Sequence, residues 1–322
     1  MINRRVCVTG AGGFVGGALV QRLAVTPGRD VLAVARSFGT EFPGNVQAAT
    51  VRDIGPGTDW SSVLPGCDTV IHCAARVHVM HDRSGPDAYA EYRRVNLEGT
   101  MALARQAAQS GVRRFVFLSS IKVNGEETVR GQPFSASQRP APADPYGVSK
   151  MEAERALLAL AAETGMEVVI IRPPLVYGPG VKANFLTMMR VLHKRIPLPL
   201  GSIDNKRSLV ALDNLVDLIV KCIDHPAAAN EIFLVSDGHD MSTTDLLRRL
   251  ATALGVSAYL MPLPGAILQF VASLLGKGRV AKRLCGSLEI DIEKTRTLLD
   301  WKPVVSVDEA LRKTALHWLR EQ

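Results

Sequence analysis

A chain of 322 residues with 47% hydrophobic and 21% charged side chains buries a sizeable core in one large domain, or in a large and a small one, and global disorder is excluded. The net charge of +7 suits an anionic ligand, yet Lys and Arg are scattered and only 5% of residues are aromatic, so a nucleic-acid surface with stacking platforms is not expected. Five cysteines (Cys7, Cys67, Cys73, Cys222 and Cys285), widely spaced and without a C-x-x-C pair, argue against a disulfide framework or a metal site and for a reducing compartment.

The opening residues run straight into a strand-like segment without a signal-peptide pattern, so a cytoplasmic location is expected. Short runs rich in Val and Ile predict strands over 6–9, 31–35, 69–73, 115–119 and 168–171, with helices over 15–24, 88–110 and 149–164 between them. The runs alternate little between apolar and polar, as strands covered on both faces do. The expected fold is α/β, a doubly wound parallel sheet over 1–178 that binds a nucleotide. From Pro179 the texture changes to proline-containing loops, strands over 209–212 and 232–235, and two or three helices, one over 243–254. Residues 179–322 are therefore expected to be a smaller, mostly substrate-binding part, with some segments returning to the main sheet. The most membrane-like stretch, 259–275, is shorter than a span and interrupted by Pro262 and Pro264, with Lys277, Arg279, Lys282 and Arg283 after it. No transmembrane span is expected there; a helix packed in the C-terminal part is the reading taken, and weak membrane-surface contact the alternative.

The first strand feeds directly into Gly10-Ala11-Gly12-Gly13-Phe14-Val15-Gly16 and then a helix. Glycines at 10, 13 and 16 permit a tight turn, close approach to a pyrophosphate and close helix–strand packing, and the helix N-terminus turns its free N–H groups to the phosphates. A glycine triplet alone is a weak signal, but strand, turn and helix together are a strong one. The second strand ends in Ala35-Arg36-Ser37. A site selecting NAD usually places an acid here for the ribose 2′-hydroxyl, whereas Arg accommodates a 2′-phosphate. Arg36 and Ser37 therefore favour NADP(H), with NAD(H) still possible if Arg36 only stacks on the adenine.

Asp144-Pro145-Tyr146-Gly147-Val148-Ser149-Lys150 holds Tyr and Lys four residues apart, on one face of a helix. An ammonium beside a phenol favours the phenolate, and the expectation is that Lys150 lowers the pKa of Tyr146 enough for proton transfer near neutral pH. Ser119-Ser120 ends the strand Phe115-Val116-Phe117-Leu118, where a hydroxyl can share the substrate oxygen with the phenol.

With these three parts in order, the chain resembles an extended short-chain dehydrogenase/reductase of the NAD-dependent epimerase/dehydratase superfamily over essentially its whole length. The resemblance implies a Rossmann fold, with Ser120, Tyr146 and Lys150 as catalytic residues. It also implies that Arg52-Asp53-Ile54 holds the adenine, that His72-Cys73-Ala74-Ala75 lies under the cofactor, and that Asn96 of Val95-Asn96-Leu97-Glu98-Gly99-Thr100 faces it. Pro173, in Arg172-Pro173-Pro174-Leu175-Val176-Tyr177-Gly178-Pro179, would lie against the nicotinamide, and Leu298-Leu299-Asp300-Trp301-Lys302-Pro303 is also similar to the family. Ser119 joins the cofactor-side set. Family members often dimerise through the helices that contain Asn96 and Tyr146, so a homodimer is expected.

Departures narrow the choice. Sugar-nucleotide 4,6-dehydratases carry an Asp-Glu pair after the catalytic hydroxyl, where this chain has Ile121 and Lys122; without acid and base, water is not eliminated. UDP-hexose 4-epimerases usually keep an Asn where Leu175 stands. With Arg36, these features favour reduction of the C4 keto group of a UDP-linked 6-deoxy-N-acetylhexosamine in surface-polysaccharide synthesis; a UDP-hexose 4-epimerase with tightly bound NAD is the alternative, and a non-catalytic cofactor sensor a remote one. For the UDP-sugar, Asn184 at a helix start and Arg207 are expected to meet the diphosphate, and Leu198 and Leu200 to flank the uracil. Asn184 as a plain helix cap and Arg207 as a surface ion pair remain open. Arg76 and His78 follow the cofactor loop and are candidates to border the sugar, with His78 as an ordinary exposed histidine the bland alternative.

Overall fold

The computed structural model describes residues 4–39, 41–77, 88–276 and 278–322. Nine strands and eleven α-helices are formed among them. In chain order the first half runs β1 (Arg4–Thr9), α1 (Phe14–Ala24), β2 (Arg29–Ala35), β3 (Val46–Thr50), β4 (Cys67–His72), α2 (Ala88–Arg93), a π-helical turn (Arg94–Gly99), α3 (Thr100–Gln109), β5 (Arg114–Leu118), α4 (Pro145–Thr164) and β6 (Glu167–Arg172). It continues with β7 (Val176–Tyr177), α5 (Ala183–His193), β8 (Val210–Ala211), α6 (Leu212–Asp224), β9 (Glu231–Leu234), α7 (Thr243–Ala253), α8 (Gly265–Leu274), α9 (Gly278–Cys285), α10 (Glu293–Leu299) and α11 (Val307–Arg320). No described helix is long and apolar enough to cross a membrane.

Seven parallel strands pair in the order β3-β2-β1-β4-β5-β6-β9. The order reverses between β1 and β4, and in such sheets the crevice at that reversal, beyond the strands' carboxyl ends, is where a ligand fits. The unbroken Val and Ile runs have their reason here. Leu19, Val20 and Leu23 of α1 and Leu215, Leu218 and Ile219 of α6 cover one face of the sheet. Leu103, Ala104 and Ala107 of α3 and Ala153 and Leu157 of α4 cover the other. A third core gathers Phe185, Met189 and Leu192 of α5, Leu246, Leu247 and Leu250 of α7, and Leu311, Ala315 and Trp318 of α11.

The second half differs from the sequence expectation in several places. It holds seven described helices, α5 to α11, rather than two or three. The strand expected over 209–212 shrinks to β8, which pairs with β7 in a separate two-stranded sheet, because Leu212 already opens α6. β9 pairs with β6 and closes the main sheet. In the first half β3 was not foreseen: it is an edge strand of half-exposed residues with little apolar pattern. α4 starts at Pro145 instead of 149, with the Asp144 carboxylate accepting from the Gly147 N–H at 2.7 Å, a cap that the Asp-Pro pair already signals. The helix expected to pack in the C-terminal part, α8, buries none of its residues.

A buried guanidinium and a half-buried carboxylate tie the halves together. The Arg114 guanidinium donates to the carbonyls of Cys222, Ile223 and His225 at 2.7–3.0 Å, capping α6. Asp237, just past β9, accepts from the Tyr177 hydroxyl at 2.8 Å, the Ala211 N–H at 2.8 Å and the Asn214 amide at 2.7 Å.

Candidate active site

A cleft of about 690 Å³ opens at the carboxyl ends of β1, β2, β4 and β5. Its floor is the glycine turn. Gly10 has φ +74°, and a Cβ there would stand 2.6 Å from the Ala74 backbone nitrogen. A Cβ on Gly16 would run into the Gly10 carbonyl. The turn closes with the Gly13 N–H donating to that same carbonyl at 2.9 Å, and α1 begins at Phe14 with no acidic residue in its first turn. The helix therefore presents free N–H groups and its positive end to the cleft.

The cleft wall contains Gly10, Gly13, Phe14, Val15, Gly16, Arg36, Ser37, Asp53, Ile54, Ala74, Ala75, Ser119, Tyr146 and Lys150, as the sequence expects. It also contains Gly12, Ala35, Cys73, Arg76, Val77, Arg94, Val95 and Leu118. Of these, Arg94 was missed: it pairs with Asp53 at 2.6 Å, holding that carboxyl below its ordinary range. Ala35 is buried at the end of β2 while Arg36 is exposed, so that strand offers a cation and no carboxylate. Asn96 is buried beneath the wall. Its carbonyl accepts from the Arg76 N–H at 2.8 Å, and its amide donates to the Arg76 carbonyl and the Ser149 hydroxyl, each at 3.0 Å. It shapes the segment after β4 instead of lining the space.

At the deep end β5 and α4 bring the hydroxyl, phenol and ammonium together. Ser120 accepts from the Lys122 N–H at 3.3 Å and hydrogen-bonds to the Tyr146 phenol. Burial pushes the phenol up to about 12, and the Ser120 hydrogen bond pulls the other way. This corrects the expectation that Lys150 lowers it: the ammonium instead donates to the Leu118 carbonyl at 2.7 Å and lies 4.1 Å over the Phe117 ring. Burial brings Lys150 down to about 7, while Glu154 opposes the fall. Pro173 is buried, and its carbonyl accepts from the Ile121 N–H at 3.0 Å, fixing the turn that carries Ser120.

Beneath these groups lies a pair the sequence reading passed over. Arg172 and Glu154 are both nearly inaccessible and are joined through Arg172 Nε and Glu154 Oε1 at 2.9 Å. Glu154 also accepts from the Ser119 hydroxyl, and Arg172 donates to Asn124 at 2.9 Å. Removing one partner of such a pair costs about 3–5 kcal/mol, because the other charge is left buried and alone. Lys122, where dehydratases carry an acid, pairs with Asp144 and lies 6.0 Å from the Tyr146 ring centre.

The residues expected on the sugar-nucleotide side do not line this cleft. Asn184 is exposed in the first turn of α5, whose N-cap is Lys182, so it is no cap. Leu200 is buried in the third core, and Leu198 is half-buried against it, so side-chain packing accounts for both. Arg207 donates to the carbonyls of Arg283 and Gly286 at 2.8 and 3.1 Å. Burial lowers its pKa, and among the described residues it has no ion pair, which removes the surface-pair reading. His78 lies outside the described residues.

Residues 6–236 match the family model described as the NAD dependent epimerase/dehydratase family. The chain is 48% identical over 318 residues to a UDP-glucose 4-epimerase of Vibrio cholerae, covering 98% of this chain and 96% of the relative. Among solved structures it is similar to a UDP-glucuronic acid 4-epimerase from Bacillus cereus in complex with NAD, with TM-score 0.80, 22% identity and coverage of 98% and 99% of the two chains. It is also similar to RMD from Pseudomonas aeruginosa complexed with NADPH, with TM-score 0.74, 23% identity and the same coverage.

Proposed function

We propose that this chain, which belongs to the NAD dependent epimerase/dehydratase family, interconverts the C4 epimers of a UDP-hexose through a transient 4-keto sugar. What supports the chemistry is that Tyr146 and Lys150 line a glycine-floored cleft and that Ser120 hydrogen-bonds to the Tyr146 phenol. The net reaction is supported by the 48% identity to a UDP-glucose 4-epimerase over nearly the whole chain.

A nicotinamide dinucleotide suits the cleft, since Gly10 and Gly16 let the turn pack backbone against backbone, with the start of α1 and its free N–H groups lining the space. The first turn of α1 would hold the pyrophosphate, Arg36 and Ser37 the adenosine ribose, Asp53 and Ile54 the adenine, and Lys150 the nicotinamide ribose. When bound, the cofactor supplies the reversible hydride acceptor at C4 of its ring. The remaining work falls to the chain. Tyr146, as phenolate, takes the proton from the sugar C4 hydroxyl and returns it as phenol once the sugar has turned its other face. Ser120 donates to the same oxygen and keeps it oriented. Lys150 lines the same cleft as the phenol, anchored on the Leu118 carbonyl. Arg207, a half-buried cation whose guanidinium donates to two carbonyls, suits a diphosphate oxygen.

A second reading is favoured by one feature. Ala35 stands where an NAD-selecting acid is usual, with Arg36 beside it on the cleft wall, and an NADPH-dependent reductase of a UDP-linked 4-keto-6-deoxy-N-acetylhexosamine would use Arg36 for the 2′-phosphate. Pairing of two copies through α3 and α4 belongs to the same proposal; Arg105, Gln109, Arg155, Ala159 and Ala162 on these helices are exposed.

Purified protein given UDP-glucose or UDP-GlcNAc separates the readings. Formation of the 4-epimer with no net cofactor consumption supports the first. NADPH oxidation that requires an added 4-keto sugar, with no epimer formed, overturns it in favour of the second.

A further inference from the structure

Residues 246–288 contain no Asp or Glu, yet include Arg248, Arg249, Lys277, Arg279, Lys282 and Arg283. Within this stretch α8 buries no residue. Ile267, Phe270, Val271, Leu274 and Leu275 recur at i, i+3, i+4, i+7 and i+8, the spacing of a face that a surface helix normally turns inward. Here these five are 44–72% exposed. The helix is held the other way round, with Leu268 against the third core. Val280 of α9 is also exposed, as are Lys282 and Arg283 in its last turn.

We propose that α8 and α9 dock on the surface of an anionic phospholipid bilayer, with the apolar stripe among the headgroups and the cations against lipid phosphates. Ten residues of α8 span about 15 Å, half of what a hydrocarbon core requires, so the helix lies in the surface and does not cross it. A second copy of the chain is a poor occupant. Two-fold pairing through this face brings cations opposite cations, with Glu127, 3.5 Å from Lys282, a carboxylate already engaged there. The surface is coupled to the substrate side, because the carbonyls of Arg283 and Gly286 accept from Arg207.

The test is flotation of the full chain with phosphatidylcholine vesicles, with and without phosphatidylglycerol, and needs no substrate. The chain is expected to float with the anionic vesicles only, and to be released as salt rises from about 0.1 to about 0.5 M. Phe270→Asp with Leu274→Asp should lower the bound-to-free ratio at least about tenfold, with the circular dichroism and melting temperature of the wild type retained; Phe270→Ser serves as the milder variant should the double one misfold. Failure of the wild type to float with either vesicle overturns the proposal, as does flotation that the variants leave unchanged. A self-associated wild type that the variants render monomeric, without flotation, assigns the face to a second copy and overturns it too.

Discussion

Tyr146 and His72 show how one cause, burial, acts on two different groups. The phenol is held up at about 12 with Ser120 as its hydrogen-bond partner, so Tyr146→Phe should lower turnover on the order of 10²–10⁴-fold. Dinucleotide affinity should stay within about threefold, since the ring and its packing survive; fluorescence titration beside a turnover assay checks both, and retained turnover defeats the proposed proton transfer. His72 bridges Thr9 and Thr100 at 2.6 and 3.1 Å, and burial, then the Lys150 charge, drives it down to about 3. The unfolded chain takes its proton near 6.5 and the folded chain refuses it until about 3, so stability is full above 6.5 and declines as pH falls through that window. The decline from this group is at most about 1.4 kcal/mol per pH unit, the value of one proton. Urea unfolding at pH 7 and 5 should show His72→Gln less stable at pH 7 but with a flatter acid decline. The Tyr146 and Lys150 pair was legible because its partners are four residues apart. The direction of the phenol's shift was not, because it is set by burial, which elements distant in sequence provide.

Among elements, the turn joining β1 to α1 leaves least room for change. Gly10→Ala demands a positive φ from a residue with a Cβ and drives that Cβ against the Ala74 backbone. Thermal melting and dinucleotide titration should show a loss of about 1–3 kcal/mol in stability and at least about tenfold in affinity; a variant that binds normally would mean the turn does not hold the pyrophosphate. This turn could be read in the sequence because backbone geometry there permits few residue types. The edge strand β3 could not, since Val46–Thr50 lacks a pattern of its own and forms by pairing with β2. α8 marks a different limit. Periodicity reveals that an apolar face exists but not which way it points, and Leu268 rather than Phe270 turned inward. The burial of Leu198 and Leu200 was not legible for a related reason: it is decided by α5, α7 and α11, distant in sequence.

At the scale of the molecule, the division at 178 describes the chain's texture better than its mechanics. α6 covers one face of the sheet, and Arg114 of β5 grips its last turn. A fragment of residues 1–178 should therefore fail to fold, leaving Val8, Val116 and Val169 uncovered, and its circular dichroism should show no cooperative melt. The Asp237 carboxylate carries this further. Of its three hydrogen bonds the one from Tyr177 crosses the division, and parting the two halves there would leave donor and acceptor unmade, at roughly 1–3 kcal/mol for each group. The two halves thus share one frame, joined through Arg114 and Asp237. Hydrogen exchange reads this directly: the amides of β9, which pairs with β6 across the division, should exchange as slowly as those of the central strands, and fast exchange there would reveal a joint.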